Sequence, residues 1–207
     1  MHPIISETVE AGGSEVIYKK FNEYKLISRD DPSVTITEPL IEIPHDAIPV
    51  LSAIYDTYGD GGPNKQIDYV SYDRYNNPLW IKSDNRDYVY VWGDYGKNLI
   101  AIVENATEPQ VSEVLGVDYL DVISSYPVSA VHETFPEIGN TLRSSLPNSL
   151  VTSYTYLPGV GMSSQTSPDG QTIYYEYDGK GRLSYTYRMD GDRKSIIEKY
   201  DYNLVNE

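Results

Sequence analysis

The chain has no cysteine, only two phenylalanines and two tryptophans, and 16 basic residues against 31 acidic ones. Each shortage closes off a class of function. Without cysteine there is neither a disulfide framework nor a cysteine-built metal site, and the redox compartment is left open. The deficit of lysine and arginine gives a net charge of -15 at pH 7, which repels nucleic acid phosphates and anionic lipid headgroups. No nucleic acid partner is expected. No apolar run approaches the ~20 residues of a membrane-spanning helix, so no membrane insertion is expected. The opening MHPIISETVEAGGSEV lacks the basic start and apolar core of a secretory signal, so the chain is expected to carry no signal peptide. At 207 residues it is long enough to bury a core as one large domain or two small ones.

Tyrosine is abundant instead, with 21 residues. Its ring suits a half-buried pleated surface and its hydroxyl reaches water or a polar neighbour, which favours thin, twisted sheets with wet edges. The clearest instance is TIYYEYDGKGRLSYTYRMDGD at 172–192. Ile173, Tyr175 and Tyr177 fall on one face of an extended segment, and Leu183, Tyr185 and Tyr187 share a face after the turn. Two alternating strands around Asp178-Gly179-Lys180-Gly181 read as a hairpin. The Asp178 carboxylate accepts a backbone N–H two residues on, and Gly181 supplies the positive φ that reverses the chain. This reading sets the tyrosines of the two strands opposite one another on a core face.

The pattern Tyr-x-Tyr-Asp-x-x-Gly-x-Leu recurs in part at four further places. YVSYDRYNNPLWI at 69–81 has Tyr72-Asp73, then Asn76, which tolerates the left-handed conformation, in the place of Gly181. DYVYVWGDYGKNLIAIV at 87–103 keeps Tyr90 and the turn glycines Gly93 and Gly96. TSYTYLPGVGMSSQTSPDGQ at 152–171 keeps Tyr154 and Tyr156, with Leu157 replacing the aspartate and Gly161 at the turn. EKYDYNL at 198–204 begins a further strand and unit. The units keep a period of about 20–25 residues except between Gly93 and Leu157, where an insertion intervenes.

Within that insertion EPQVSEVLG and VDYLDVISSY suit short helices. Thr134-Phe135-Pro136-Glu137 forms a capping box with proline at the first helical position, predicting a helix from about Pro136 to Leu146. The preceding hairpin is apolar on both faces, with Tyr88, Tyr90 and Trp92 on one and Val89 and Val91 on the other, so the helical insert is expected to cover one side. Nearer the N-terminus, SEVIYKKFNEYKLI at 14–27 and VTITEPLIEI at 34–43 read as strands, while IPHDAIP and YGDGGPN read as loop and turn. Four regions follow: an irregular β region at 1–68, hairpins at 69–106, the helical insertion at 107–147 and C-terminal hairpins at 148–207.

YYEYDGKGRL at 174–183, with its Tyr-Asp pair and the following Gly-Arg-Leu, resembles the YD repeat of the RHS (rearrangement hotspot) family. YDRYNNPL at 72–79 resembles a second form of that repeat, which usually has glycine where Asn76 stands. The run from Ser145 to Leu183 is similar to the version in large secreted or surface proteins of Bacteroidetes. The likeness runs from about residue 69 to the end. It implies a mainly β fold, an antiparallel β-hairpin (YD-type) repeat array with a short helical insertion, and an extracellular or cell-surface home. The chain looks like one short segment of an array whose many units coil into a β-rich shell. The repeat positions would be Tyr72, Asp73, Tyr90, Gly93, Tyr154, Tyr156, Gly161, Tyr175, Tyr177, Asp178, Gly181 and Leu183. Nothing in the sequence resembles the motif that ends such a shell, or the toxin domain that follows it.

No catalytic constellation stands out. Among 31 carboxylates an acid pair for glycoside hydrolysis could always be found, so their number carries no signal. His2, His45 and His132 lack the i, i+4 spacing of a zinc helix. Ser163 in GMSSQ lacks the second glycine of a nucleophile elbow, and Gly159-Val160-Gly161 lacks the third glycine of a dinucleotide fingerprint. Asp190-Gly191-Asp192 and Asp60-Gly61-Gly62 lack the ligand spacing of a calcium loop and read as turns. Asn105-Ala106-Thr107 fits an N-glycosylation acceptor. No cofactor or metal is expected. Trp80 and Trp92 are the candidate ligand aromatics, set against a core role in the sheets. The expected function is a non-enzymatic structural or interaction module with a protein or glycan partner. The alternatives are a carbohydrate-binding module using exposed tyrosine and tryptophan, and a glycan-acting enzyme. Terminal strands of an array expose unpaired backbone groups, so a weak homodimer through residues 198–204 is expected, strengthened by salt.

Overall fold

The structure is a computed structural model that describes residues 5–10, 16–36, 46–58, 61–116 and 135–202. The chain forms two compact units, Met1–Tyr90 with Asn105–Pro109, and Val91–Glu104 with Gln110–Glu207. Among the described residues the regular structure is mainly β: antiparallel strands and two short helices, neither long and apolar enough to cross a membrane.

The first unit contains β1 (Ile5–Glu10), β2 (Val16–Ser28), β3 (Thr35–Ile36), β4 (Ala47–Tyr58), β5 (Asn64–Tyr72), β6 (Pro78–Ser83) and the first part of β7 (Arg86–Gly93). β2 pairs with β4 along its length, from Tyr18 opposite Tyr58 to Ser28 opposite Ala47, while β1 and β3 share its other edge. From β4 onward each strand pairs with the next, β4 with β5, β5 with β6 and β6 with β7. Ile27, Val50 and Tyr72 form a buried cluster with Ile48 and Tyr69 against it.

One reading of this region is corrected. IPHDAIP is not all loop, because Ala47–Pro49 open β4. Proline removes a backbone donor but is tolerated where a strand needs no ladder bond on that side. Pro49 stands opposite Leu26, and the pairing of β4 with β5 begins further along, at Ala53. Of VTITEPLIEI, Thr35–Ile36 form β3, and the remainder from 37 lies outside the described residues.

The second unit contains the end of β7, β8 (Asn98–Glu104), the helices α1 (Glu108–Leu115, most of which lies here) and α2 (Phe135–Ser145), and then β9 (Leu150–Leu157), β10 (Gly161–Thr166), β11 (Thr172–Tyr177), β12 (Leu183–Asp190) and β13 (Arg193–Lys199). β8 pairs with β9, and β9 through β13 form a meander in which each strand lies beside the next. Both helices fall where EPQVSEVLG and the proline-started segment predict them. Thr134 and VDYLDVISSY lie outside the described residues.

Helix α2 packs against β8 and β9. Ala101 faces Ser153 and Val103 faces Val151 across the strand pair, so these four side chains share one face. The backbone of Gly139 sits so close to that face that a Cβ there would fall 2.4 Å from Ser153 Oγ. Ile138, Leu142, Ala101, Val103 and Val151 are all buried. Arg143 reaches from the same helix, its Nη2 donating to Ser153 Oγ at 2.8 Å and to the carbonyl of Thr166 at 3.1 Å. Burial lowers its pKa from the ordinary arginine value.

Candidate functional site

Three hairpins close with the same ring of hydrogen bonds. In each five-residue turn the N–H of the first residue donates to the carbonyl of the fifth, and the N–H of the fourth donates back to the carbonyl of the first. The distances are 2.9 and 3.0 Å for Asp73–Asn77, 2.9 and 2.9 Å for Ser167–Gln171, and 2.8 and 2.9 Å for Asp178–Arg182. The fourth residue has positive φ in all three, 68° at Asn76, 84° at Gly170 and 74° at Gly181. This is the three-residue hairpin loop that ends on a left-handed residue, which explains why asparagine or glycine stands there.

Aspartate at the first position adds a second layer. Asp73 Oδ1 accepts the N–H groups of Tyr75 and Asn77, both at 2.8 Å, while Oδ2 accepts Asn77 Nδ2 at 3.1 Å. Asp178 Oδ1 accepts those of Lys180 at 2.8 Å and Arg182 at 3.0 Å, while Oδ2 takes Arg182 Nε at 2.8 Å. The Arg182 backbone N–H and guanidinium hold the Asp178 carboxyl down to about 2. The two turns differ in environment, since Asp73 is fully buried and Asp178 is partly exposed.

The tyrosines near the ends of the strands do a related job. Tyr72 closes β5 and donates its hydroxyl to the carbonyl of Leu51 in β4. Tyr177 closes β11 and donates to Met162 in β10 at 2.7 Å, and Tyr156, one residue from the end of β9, donates to Leu99 in β8 at 2.7 Å. In each case the acceptor lies on the strand that precedes the tyrosine in sequence. Phenylalanine would supply the ring and lose this bond, which is a physical reason for tyrosine at these three positions.

Burial first, and then neighbouring Tyr154, push the Tyr156 hydroxyl up to about 12. A pKa raised on folding adds stability that is complete below the unfolded value, about 10, and is lost as pH rises through the folded one. Stability is therefore expected to fall between pH 10 and about 12. Tyr156→Phe should cost about 1 kcal/mol at neutral pH and make this alkaline loss shallower. Urea melts at pH 7 and across the alkaline range check both effects.

Several sequence assignments move by a residue or a face. Tyr90 lies in β7. Gly93 is the buried last residue of that strand, and the turn glycine of this hairpin is Gly96, with φ 74°. Gly159, with φ 70°, takes the turn role expected of Gly161. Gly161 instead opens β10, where a Cβ would lie 2.7 Å from the Tyr177 hydroxyl, so the close approach of that side chain favours glycine there. Tyr154 lies in β9, opposite Gln165.

Tyr175 and Tyr177 are not opposite Tyr185 and Tyr187. A register shift between Glu176 and Tyr177 puts Tyr177 across from Leu183 but Glu176 across from Tyr185 and Tyr174 across from Tyr187. One extra residue in β12 flips the face of everything beyond it. The strand expected to begin in EKYDYNL is absent over its described part, since Glu198 and Lys199 end β13 and Tyr200–Tyr202 follow it outside any strand, while 203 and 204 lie outside the described residues.

The bulge assembles an aromatic and charged face that the sequence pattern missed. The Tyr174 and Tyr187 rings stack at 5.1 Å, Lys194 Nζ lies 4.2 Å from the Tyr187 centroid, and the same nitrogen pairs with Glu176 Oε1 at 3.0 Å. Beyond the stack an open cleft of about 490 Å³ has Gln171, Tyr174, Arg188 and Asp190 on its walls. A signal was present in the alternation of Tyr185, Tyr187 and Met189, but a bulge leaves no mark in a two-residue period.

The tryptophans are not open platforms. The Trp80 indole donates to Asp87 Oδ1 at 2.6 Å and Lys82 lies 4.6 Å over its ring, while Trp92 is half-buried in β7. His2, His45 and His132 lie outside the described residues, among which no group of acidic and histidine side chains is arranged to hold a metal. Asp190-Gly191-Asp192 spans the loop between β12 and β13, with Gly191 at φ 59°. The chain matches no family model and no curated protein.

Proposed function

We propose that this chain is a non-enzymatic structural or interaction module, a segment of a YD-type repeat array of the RHS kind belonging to a cell-surface or secreted protein. The observation that carries the reading is the recurrence of one turn. The same ring of backbone bonds closes the hairpins at 73–77, 167–171 and 178–182, and a strand-end tyrosine latches onto the preceding strand beside two of them. Each of these turns satisfies its backbone groups within itself, and each of these tyrosines reaches the strand before it, which is the nearest-neighbour pattern of a repeat array.

Excision tests this. Removing residues 157–177 joins Tyr156 to Asp178 and recreates a Tyr-Asp turn between β9 and β12. The shortened chain is expected to keep a β-type far-UV spectrum and a cooperative urea transition at a moderately lower midpoint. Loss of cooperative folding would show that the strands are not repeat units. A panel of chromogenic glycosides should give no turnover, and hydrolysis of any would replace this reading with an enzymatic one.

Carbohydrate binding is the second reading, favoured by the cleft beside the Tyr174–Tyr187 stack, where an aromatic ring stands next to Arg188 and Asp190. Sugar rings stack on such surfaces while their hydroxyls bond charged and amide groups. Glycan array binding lost in Tyr174→Ala would establish it.

A further inference from the structure

The Tyr174–Tyr187 stack stands where the sheet forks. Tyr174 opposite Tyr187 is the last rung of the β11–β12 ladder on that side. Beyond it Thr172 and Ile173 pair with β10, Met189 and Asp190 pair with β13, and the two strands part around the open cleft of about 490 Å³, which Tyr174 helps to line. The rings lie nearly parallel, with 19° between their planes and 5.1 Å between their centroids. Parallel rings at that separation are offset, the edge of one over the face of the other, so ring carbons of the two are in contact. From the next strand, Lys194 holds its Nζ 4.2 Å from the Tyr187 centroid. Held from both neighbouring strands, the Tyr187 ring has little room to turn away.

Composition gives this contact a meaning. The chain has 21 tyrosines and no cysteine, so a covalent tie between its own side chains cannot be a disulfide. Phenols are the abundant oxidisable groups instead, and two of them held in contact couple when each loses an electron. The chain also carries -15, which keeps copies apart at low salt. A tyrosine radical therefore meets its partner within its own chain.

We infer that Tyr174 and Tyr187 form an oxidative modification site, at which a haem peroxidase using hydrogen peroxide joins them as dityrosine and staples β11 to β12 at the fork. Each phenol gives up an electron and its hydroxyl proton. The radicals carry spin on the ring carbons ortho to oxygen, and a carbon–carbon bond forms between one such carbon of each ring. Each joined carbon then loses its hydrogen as a proton while each oxygen regains one, which restores both phenols. The net loss of two electrons and two protons reduces one hydrogen peroxide to two waters. Tyr185 also lies near Tyr187, at 5.8 Å, but its ring is tilted by 45° and belongs to the same strand, so a bond there would tie no strands together.

A haem peroxidase with hydrogen peroxide, applied to the dilute full chain at low salt, should give a monomer that carries dityrosine fluorescence and is lighter by two hydrogens. Mass spectrometry of its peptides should place the cross-link between Tyr174 and Tyr187. The urea midpoint of this product should rise, because the bond restricts the unfolded chain. Tyr174→Phe keeps the ring and removes only the phenol, so it should stay folded and lose most of the intramolecular dityrosine. Tyr187→Phe should show the same loss, which guards against a folding defect peculiar to one variant. Tyr69→Phe, in the wider Tyr69–Tyr72 stack at 6.4 Å, should lose little. Dityrosine confined to covalent dimers, a cross-link at another pair, a yield indifferent to Tyr174→Phe, or a cross-linked chain no more resistant to urea would overturn the inference.

Discussion

Asp73→Ala is expected to lower the urea unfolding free energy by about 3 kcal/mol or more, a large share of the stability of a small domain. The carboxylate is fully buried and accepts two backbone N–H groups and the Asn77 side-chain amide. Removing it leaves those donors facing a space with no acceptor, and unsatisfied buried donors cost more than the mean value of a bond. The matched change Asp178→Ala removes the same kind of acceptor from a turn open to water. Water then takes over as acceptor, so the loss there should be clearly smaller. Equal losses at the two sites would mean that burial is not what makes the Asp73 turn critical.

Gly139→Ala should destabilise the chain by about 2 kcal/mol, although helix propensity alone favours alanine by about 1 kcal/mol. Gly139 lies inside α2, where an added Cβ would meet Ser153 Oγ at 2.4 Å and Ser153 Cβ at 2.6 Å. Strand backbone carries that Cβ and cannot swing aside as a flexible side-chain tip would. The helix must lift, loosening Ile138 and Leu142 from the face they cover and stretching the bond from Arg143 to Ser153. Ser153→Gly removes both obstructing atoms, so a double-mutant cycle should recover most of the Gly139→Ala loss as coupling energy. A stabilising Gly139→Ala would show that propensity wins and that α2 does not press on β9.

What adjacent residues could decide was legible in the sequence. The Asp-x-x-Gly spacing at 178–181 sufficed for the turn, because the aspartate bonds and the positive φ of Gly181 are local. The proline and acid at the start of α2 marked that helix for the same reason. Alternating tyrosines settled that the chain is mainly β. The opening of β4 was hidden because Pro49 reads as a breaker, and only the partner strand β2 makes Ala47–Pro49 extended.

Tertiary structure alone decided which faces are buried and which atoms meet. A bulge between β11 and β12 moved Tyr185 and Tyr187 to the side of Tyr174 and Glu176, a change of face that a two-residue period cannot encode. Gly161 is favoured by the approach of the Tyr177 hydroxyl, and Gly139 is held by Ser153, through contacts between separate elements. The tyrosine hydroxyls find backbone carbonyls on neighbouring strands, so the choice of tyrosine over phenylalanine becomes explicable only once those strands are adjacent. Backbone preference acts between near neighbours and is written locally. Burial and close approach depend on which distant segment arrives, and only the folded chain fixes that.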